Sequence, residues 1–150
     1  MSRKKIIWSI VLVAAAGAGL YAYKEYNRTN KDLRYTKPDF IVLATGLISE
    51  YEANDSLANR KYNGKVVEIS GPVKKIEKDE EGYYTIVLGD SSSLSSVRCS
   101  MDTSHQADAA VLMAGSSAIV RGSCTGFNKD EMGLGSDVIL NRCAVINKKE

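Results

Sequence analysis

The chain has 150 residues, 44% hydrophobic and 25% charged, with a formal net charge of +2, which suits one small core and excludes a second of any size. The charge is uneven: residues 1–37 hold eight Lys and Arg against Glu25 and Asp32, a balance of +6, and residues 38–150 hold 12 basic and 16 acidic residues, a balance of −4. Non-specific nucleic-acid affinity comes from counterion release by clustered Lys and Arg, so an acidic domain disfavours nucleic acid as a partner.

Arg3-Lys4-Lys5 precede an uncharged apolar run from Ile6 to Tyr23. Its 18 residues would rise about 27 Å as a helix, close to the hydrocarbon thickness of a bilayer. Trp8, Tyr21 and Tyr23 sit where interfacial aromatic anchors belong. Residues 1–23 are therefore expected to form an uncleaved transmembrane helix in the cytoplasmic membrane, with a signal peptide cleaved near Ala18 or Ala22 as the alternative. No Cys follows the run, so no lipoprotein-type acylation is expected. The short tail before the run, typical of a signal anchor, and the cysteines considered below point the rest of the chain to the periplasm or exterior.

Residues 24–37 are polar and read as a juxtamembrane tether, leaving 38–150 as the folded domain. Thr36-Lys37-Pro38-Asp39 has the form of a capping box with Pro in the first turn. Phe40, Leu43, Leu47 and Tyr51 then recur at helical spacing, which predicts an amphipathic helix ending between Ala53 and Leu57.

From Lys65 the period changes to two. A first strand runs through Val67, Ile69, Gly71 and Val73 to Ile76, with a bulge or bend at Gly71-Pro72. The turn is Lys78-Asp79-Glu80-Glu81-Gly82. A second strand covers Tyr83–Leu88, a Ser-rich loop follows, and a third covers Val97–Met101. A short helix capped near Thr103 or Ser104 stops at Ala114-Gly115. Ser117–Thr125 and Asp137–Ile146 supply the last two strands. Strand, strand, strand, helix, strand, strand is the order of an OB barrel, the five-stranded Greek-key barrel of oligonucleotide- and oligosaccharide-binding domains. The fold class is thus mainly β with helices.

Lys61-Tyr62-Asn63-Gly64-Lys65-Val66 leading to Gly71, then Val120-Arg121-Gly122-Ser123-Cys124-Thr125-Gly126, then Val138-Ile139-Leu140-Asn141-Arg142-Cys143 resemble the bacterial tRNA_anti-like OB-fold family over about residues 40–146. These are mostly structural glycines and barrel residues. The resemblance implies the fold and a small exported or membrane-attached protein, placing the anchor in a bacterial inner membrane. It does not transfer a ligand, since fold and function are separable.

Cys124 and Cys143 fall on the last two strands, and in an oxidising compartment they are the candidate disulfide. A tight hairpin would set Cys124 opposite about position 137, so this link needs bulges; three buried thiols are the alternative. His105 is the only histidine and is expected to face solvent at a helix start. No nucleophile–base pair and no metal-ligand spacing stand out, so neither an enzyme nor a cofactor is expected. The candidate binding face is that of the second and third barrel strands with flanking loops: Lys74, Lys75, Tyr83, Thr85, Arg98, Phe127 and Lys129. Asp79-Glu80-Glu81 and Asp130-Glu131 at the mouth repel phosphate, which favours a protein, peptide or glycan of the cell envelope as ligand, with a cytoplasm-facing nucleic-acid binder as the alternative.

Overall fold

A computed structural model describes the backbone of residues 3–26, 31–130, 132 and 134–146, and the side chains of these except for 3–7 and 9–11. The chain divides into two compact units, Met1–Lys31 and Asp32–Glu150. The first contains the helix α1 (Arg3–Tyr26), whose side chains from Leu12 to Tyr26 are exposed. Among the described residues no helix is long and apolar enough to cross a membrane. The expected span, Ile6–Tyr23, lies partly outside the described side chains.

The second unit begins earlier than expected. Asp32 caps a 3-10 turn, Leu33–Tyr35, by accepting from Arg34 N at 2.8 Å, and Leu33 is buried. The end of the supposed tether is therefore part of the folded domain. The helix expected from Thr36 is also displaced. Asp39 N donates to Val66 O at 2.8 Å and the Asp39 carboxylate accepts from Val66 N at 2.9 Å, so this acid pins the segment to the next strand instead of capping a helix. β1 (Phe40–Leu43), with its β-branched Ile41-Val42, pairs parallel to the start of β2 (Val66–Lys78). Only then does α2 (Ala44–Ala53) begin, burying Ala44, Leu47, Ile48 and Tyr51. α3 (Asp55–Tyr62), which the apolar pattern does not reveal, is capped by Asn54 accepting from Leu57 N at 2.9 Å.

The five-stranded barrel is closed. β2 is followed by β3 (Tyr84–Leu88), β4 (Ser96–Met101), a 3-10 turn leading into α4 (Gln106–Ala110), β5 (Ser117–Asn128) and β6 (Asp137–Val145). The spatial order β2-β3-β4-β6-β5 returns to β2, with β4 and β6 parallel. β2 serves both sides, pairing with β5 along Val66–Pro72 and with β3 from Val73 onward. At Gly71 a Cβ would lie 2.9 Å from Ala44 Cβ, so glycine lets α2 pack directly on the strand, while the irregularity expected at Gly71-Pro72 falls between Val73 and Lys75. Tyr51, Tyr62, Leu47, Ile69, Ile86, Leu88 and Leu140 form the largest fully buried part of the core.

The strand register does not set Cys124 opposite Cys143, the pairing expected for a disulfide. All three cysteines are free and buried. Two bulges in the β5–β6 pairing set Cys124 opposite Leu140. Its Sγ lies 3.3 Å from Tyr51 Oη, while Cys143 interacts with Cys99. Burial pushes the Cys124 and Cys143 thiols up from their ordinary value.

Candidate functional site

The outer surface of β2, β3 and β4 carries a groove of about 410 Å³. Its basic side is built by register. The β2–β3 pairing slips between Val73 and Lys75, so Lys74 is the extra residue of a bulge, and two consecutive lysines face the groove where regular alternation would turn one away. Lys75 stands opposite Val87 on β3, and Val87 opposite Arg98 on β4. The two cations thus flank Val87 in one row across three strands.

The other side comes from two loops. Lys74 Nζ donates to the carbonyls of Ser93 at 2.7 Å and Ser95 at 3.2 Å, fixing the β3–β4 loop. That loop is tied to the β5–β6 loop by Ser96 N to Ser136 O at 3.0 Å and Ser136 N to Ser95 Oγ at 3.1 Å. Gly135 is required there: it has φ of +100° and a Cβ would meet Leu94 O at 2.4 Å. The close approach sets Leu94 and Leu134 on the groove, 69% and 75% exposed, and the paired Ser96 and Asp137 line it as well.

Glu77 governs the charge. Its carboxylate takes Lys75 Nζ at 2.6 Å on one oxygen and Arg98 on the other. The hydrogen bond from Lys75, joined by that from Arg98, holds the Glu77 carboxyl below the usual glutamate range, so it is ionised at neutral pH.

Of the seven candidate face residues, Lys74, Lys75 and Arg98 meet in this groove. Thr85 lies on β3 opposite Glu77, one row beyond. Tyr83 is half exposed at the end of the Asp79–Gly82 turn, and Lys129 is exposed beyond the end of β5. Phe127 is half-buried and does not line the groove: its ring stacks on Tyr51 at 4.9 Å between centroids, against the hydrophobic core. Glu77 and Leu94 are absent from the sequence-derived set, and Leu134 enters it only as part of the flanking loop at residues 127–136. The alternation Lys75, Glu77 along one strand face could have revealed Glu77, whereas Leu94 and Leu134 reach the groove only through loop packing.

The acidic mouth is also different from expectation. Asp79, Glu80 and Glu81 do not line the groove. Asp130 turns its carboxylate to the N–H groups of Met132 at 2.9 Å and Leu134 at 2.5 Å within its own loop. Glu131 lies outside the described residues.

His105 is buried rather than solvent-facing. Its Nε2 lies 2.8 Å from Asp32 Oδ1 and its Nδ1 3.6 Å from Asp108 Oδ2, and Arg34 pairs with the same Asp108. Arg121 Nη1 donates to the carbonyls of Arg34 and Thr36, each at 2.7 Å. These groups fasten the Asp32–Thr36 segment to the barrel. Among the described residues no three His, Cys, Asp or Glu side chains come together as a metal site.

The fold is similar to that of a known structure. A "putative nucleic acid-binding lipoprotein" from Klebsiella pneumoniae superposes with a TM-score of 0.55 at 18% identity, covering 71% of this chain and 91% of that one. Asparaginyl-tRNA synthetase from Entamoeba histolytica gives 0.43 at 15% identity, over 76% of this chain and 25% of the synthetase. The Stn1–Ten1 complex of S. pombe gives 0.36 at 18% identity, over 55% of this chain and 59% of that one. Among curated protein sequences none matches.

The expectation that nucleic acid is disfavoured as a partner is overturned by a shared fold with a protein described as nucleic acid-binding. The underlying error is physical: a net charge averaged over 38–150 hides the local gathering of Lys74, Lys75 and Arg98. The tRNA_anti-like family profile matches residues 1–143, a span that takes in the barrel through Cys143, and the chain belongs to that family.

Proposed function

We propose that the protein is a membrane-attached, non-enzymatic OB module that binds single-stranded nucleic acid in the groove across β2, β3 and β4. One observation carries the reading: three cations from two strands converge beside an exposed apolar pair, Leu94 and Leu134. OB folds bind oligonucleotides on this face, with positive charge tracking the backbone and flat or apolar surfaces taking the bases. The name of the Klebsiella protein that shares the fold agrees with it.

Attachment rests on α1. Its run from Leu12 to Tyr23 is uncharged and exposed on every side, the pattern of a helix that needs an apolar surrounding. The description of the Klebsiella protein as a lipoprotein supports a barrel facing away from the cytoplasm. A C-terminal alkaline phosphatase fusion, active only after export, should be active; an inactive but stable fusion overturns this orientation.

Binding is tested by fluorescence anisotropy of a labelled oligothymidylate with the full chain in detergent. Saturable binding is expected, weakened in Arg98→Ala, with the slope of log affinity against log salt reduced by about 0.7. Absence of binding at low salt, or an Arg98→Ala affinity equal to wild type, overturns the reading. A protein, peptide or glycan of the envelope is the second reading. It is favoured by the Ser91, Ser93 and Ser96 hydroxyls of the groove and by the absence of an aromatic ring among its described lining residues.

A further inference from the structure

Lys75 and Arg98 come from different strands, yet one carboxylate holds both. Glu77 offers Oε1 to Lys75 and Oε2 to Arg98, so its two oxygens sit where two oxygens of a bridging anion would sit. The three side chains are 59%, 32% and 35% exposed for Lys75, Arg98 and Glu77. A carboxylate this accessible can swing into water. Exposed ion pairs contribute little net stability, so displacing it is easy for an anion that brings a compensating interaction. By contrast, Arg121 and Glu68 are buried to 13% and 9% exposure and form a structural pair of the ordinary kind.

We propose that Glu77 is an internal mimic of the ligand's phosphate, occupying the Lys75–Arg98 position until a phosphodiester chain displaces it. This inference rests on the nucleic-acid reading of the groove. It gives the site two properties. The bridge keeps Lys75 and Arg98 extended across Val87, so the two cations are already placed when the chain arrives. It also sets a threshold: a lone anion must displace Glu77 unaided, whereas a chain also engages Lys74 and the Leu94–Leu134 surface, and its phosphate then competes at high effective concentration.

The mimic makes a prediction that general charge repulsion does not. In the wild type the displaced carboxylate stays nearby and offsets part of the charge of the two cations, so the bound strand gives up fewer of its condensed counterions. In Glu77→Gln both cations are fully available to phosphate, and more of those counterions are released. Affinity should rise about fivefold, the upper range for loss of an exposed pair. The salt slope should steepen by about 0.7 for each additional phosphate neutralised.

The experiment is a salt titration of an oligothymidylate of about 15 nucleotides, within the site size of one OB fold, on the full chain in detergent. Wild type, Glu77→Gln and Glu80→Gln are compared, the last removing the same charge from the turn away from the groove. Tighter binding with a steeper slope in Glu77→Gln alone is the expected result. If wild type binds and Glu77→Gln is no tighter, the mimic is overturned while the groove reading stands. If both variants gain equally with unchanged slopes, the mimic is also overturned, in favour of overall charge. If none of the three binds, both the mimic and the groove reading fall.

Discussion

Arg121 Nη2 lies 2.6 Å from Glu68 Oε2 on neighbouring strands of the barrel wall, while Nη1 of the same guanidinium reaches the carbonyls of Arg34 and Thr36. One side chain therefore neutralises a buried acid and holds the chain where it enters the domain. Arg121→Met should lower stability by about 3 kcal/mol, because Glu68 would be left as an unpaired buried charge. Adding Glu68→Met should restore much of that loss. Urea unfolding of the full chain in detergent measures both, and a single variant as stable as wild type would contradict this role.

Phe127 separates packing from binding. Its ring stacks on Tyr51 and packs on the core, away from the lysines of the groove. Phe127→Ala should destabilise the barrel by about 3 kcal/mol and leave oligothymidylate affinity of the folded fraction unchanged. A specific loss of affinity at full stability would return Phe127 to the binding face.

The thiols give a chemical test of the core. Cys99, Cys124 and Cys143 are each fully buried, and burial raises the last two thiols further from reactivity. A thiol reagent such as DTNB should find none reactive in the native protein and all three after denaturation. Non-reducing mass mapping that links Cys124 to Cys143 would contradict the β5–β6 register.

Acid should loosen the domain in a defined direction. The hydrogen bond from Lys61, aided by the Tyr62 hydroxyl, holds the Glu50 carboxyl below its usual range, and bonds from the Ser104 hydroxyl and N–H do the same for Asp102. Because these folded values lie below the unfolded ones, their stabilisation is present above the ordinary carboxyl range and is lost as pH falls through the folded values. Tm should therefore be flat from about pH 7 to 5 on their account and decline below about pH 4.5. Glu50→Gln should lower Tm at neutral pH and make the acid decline shallower. An unchanged acid limb would show that Glu50 takes no part.

The barrel is legible in the sequence because period-two alternation and the turn at Gly82 are local signals. Phe40 to Leu43 misleads because spacings of three and four fit a helix while β-branched Ile41-Val42 fit a strand, and the decision rests with Asp39 and Val66, far apart in sequence. The burial of His105 depends on Asp32, 73 positions away. Cysteine pairing depends on two bulges that no residue pattern announces. At the site, Lys74, Lys75 and Arg98 are legible from strand order, whereas Leu94 and Leu134 reach the same groove because two loops meet where Gly135 approaches Leu94.

The central claim is that the groove, not the basic N-terminal flank, binds single-stranded nucleic acid. Photocrosslinking of a 4-thiouridine oligonucleotide to the full chain, with adducts mapped by mass spectrometry, tests it most directly. The account predicts adducts on peptides carrying Lys74 and Lys75, Leu94 to Arg98, or Leu134 to Asp137. Adducts confined to residues 1–37, where eight Lys and Arg lie, or no adduct at all, would contradict it.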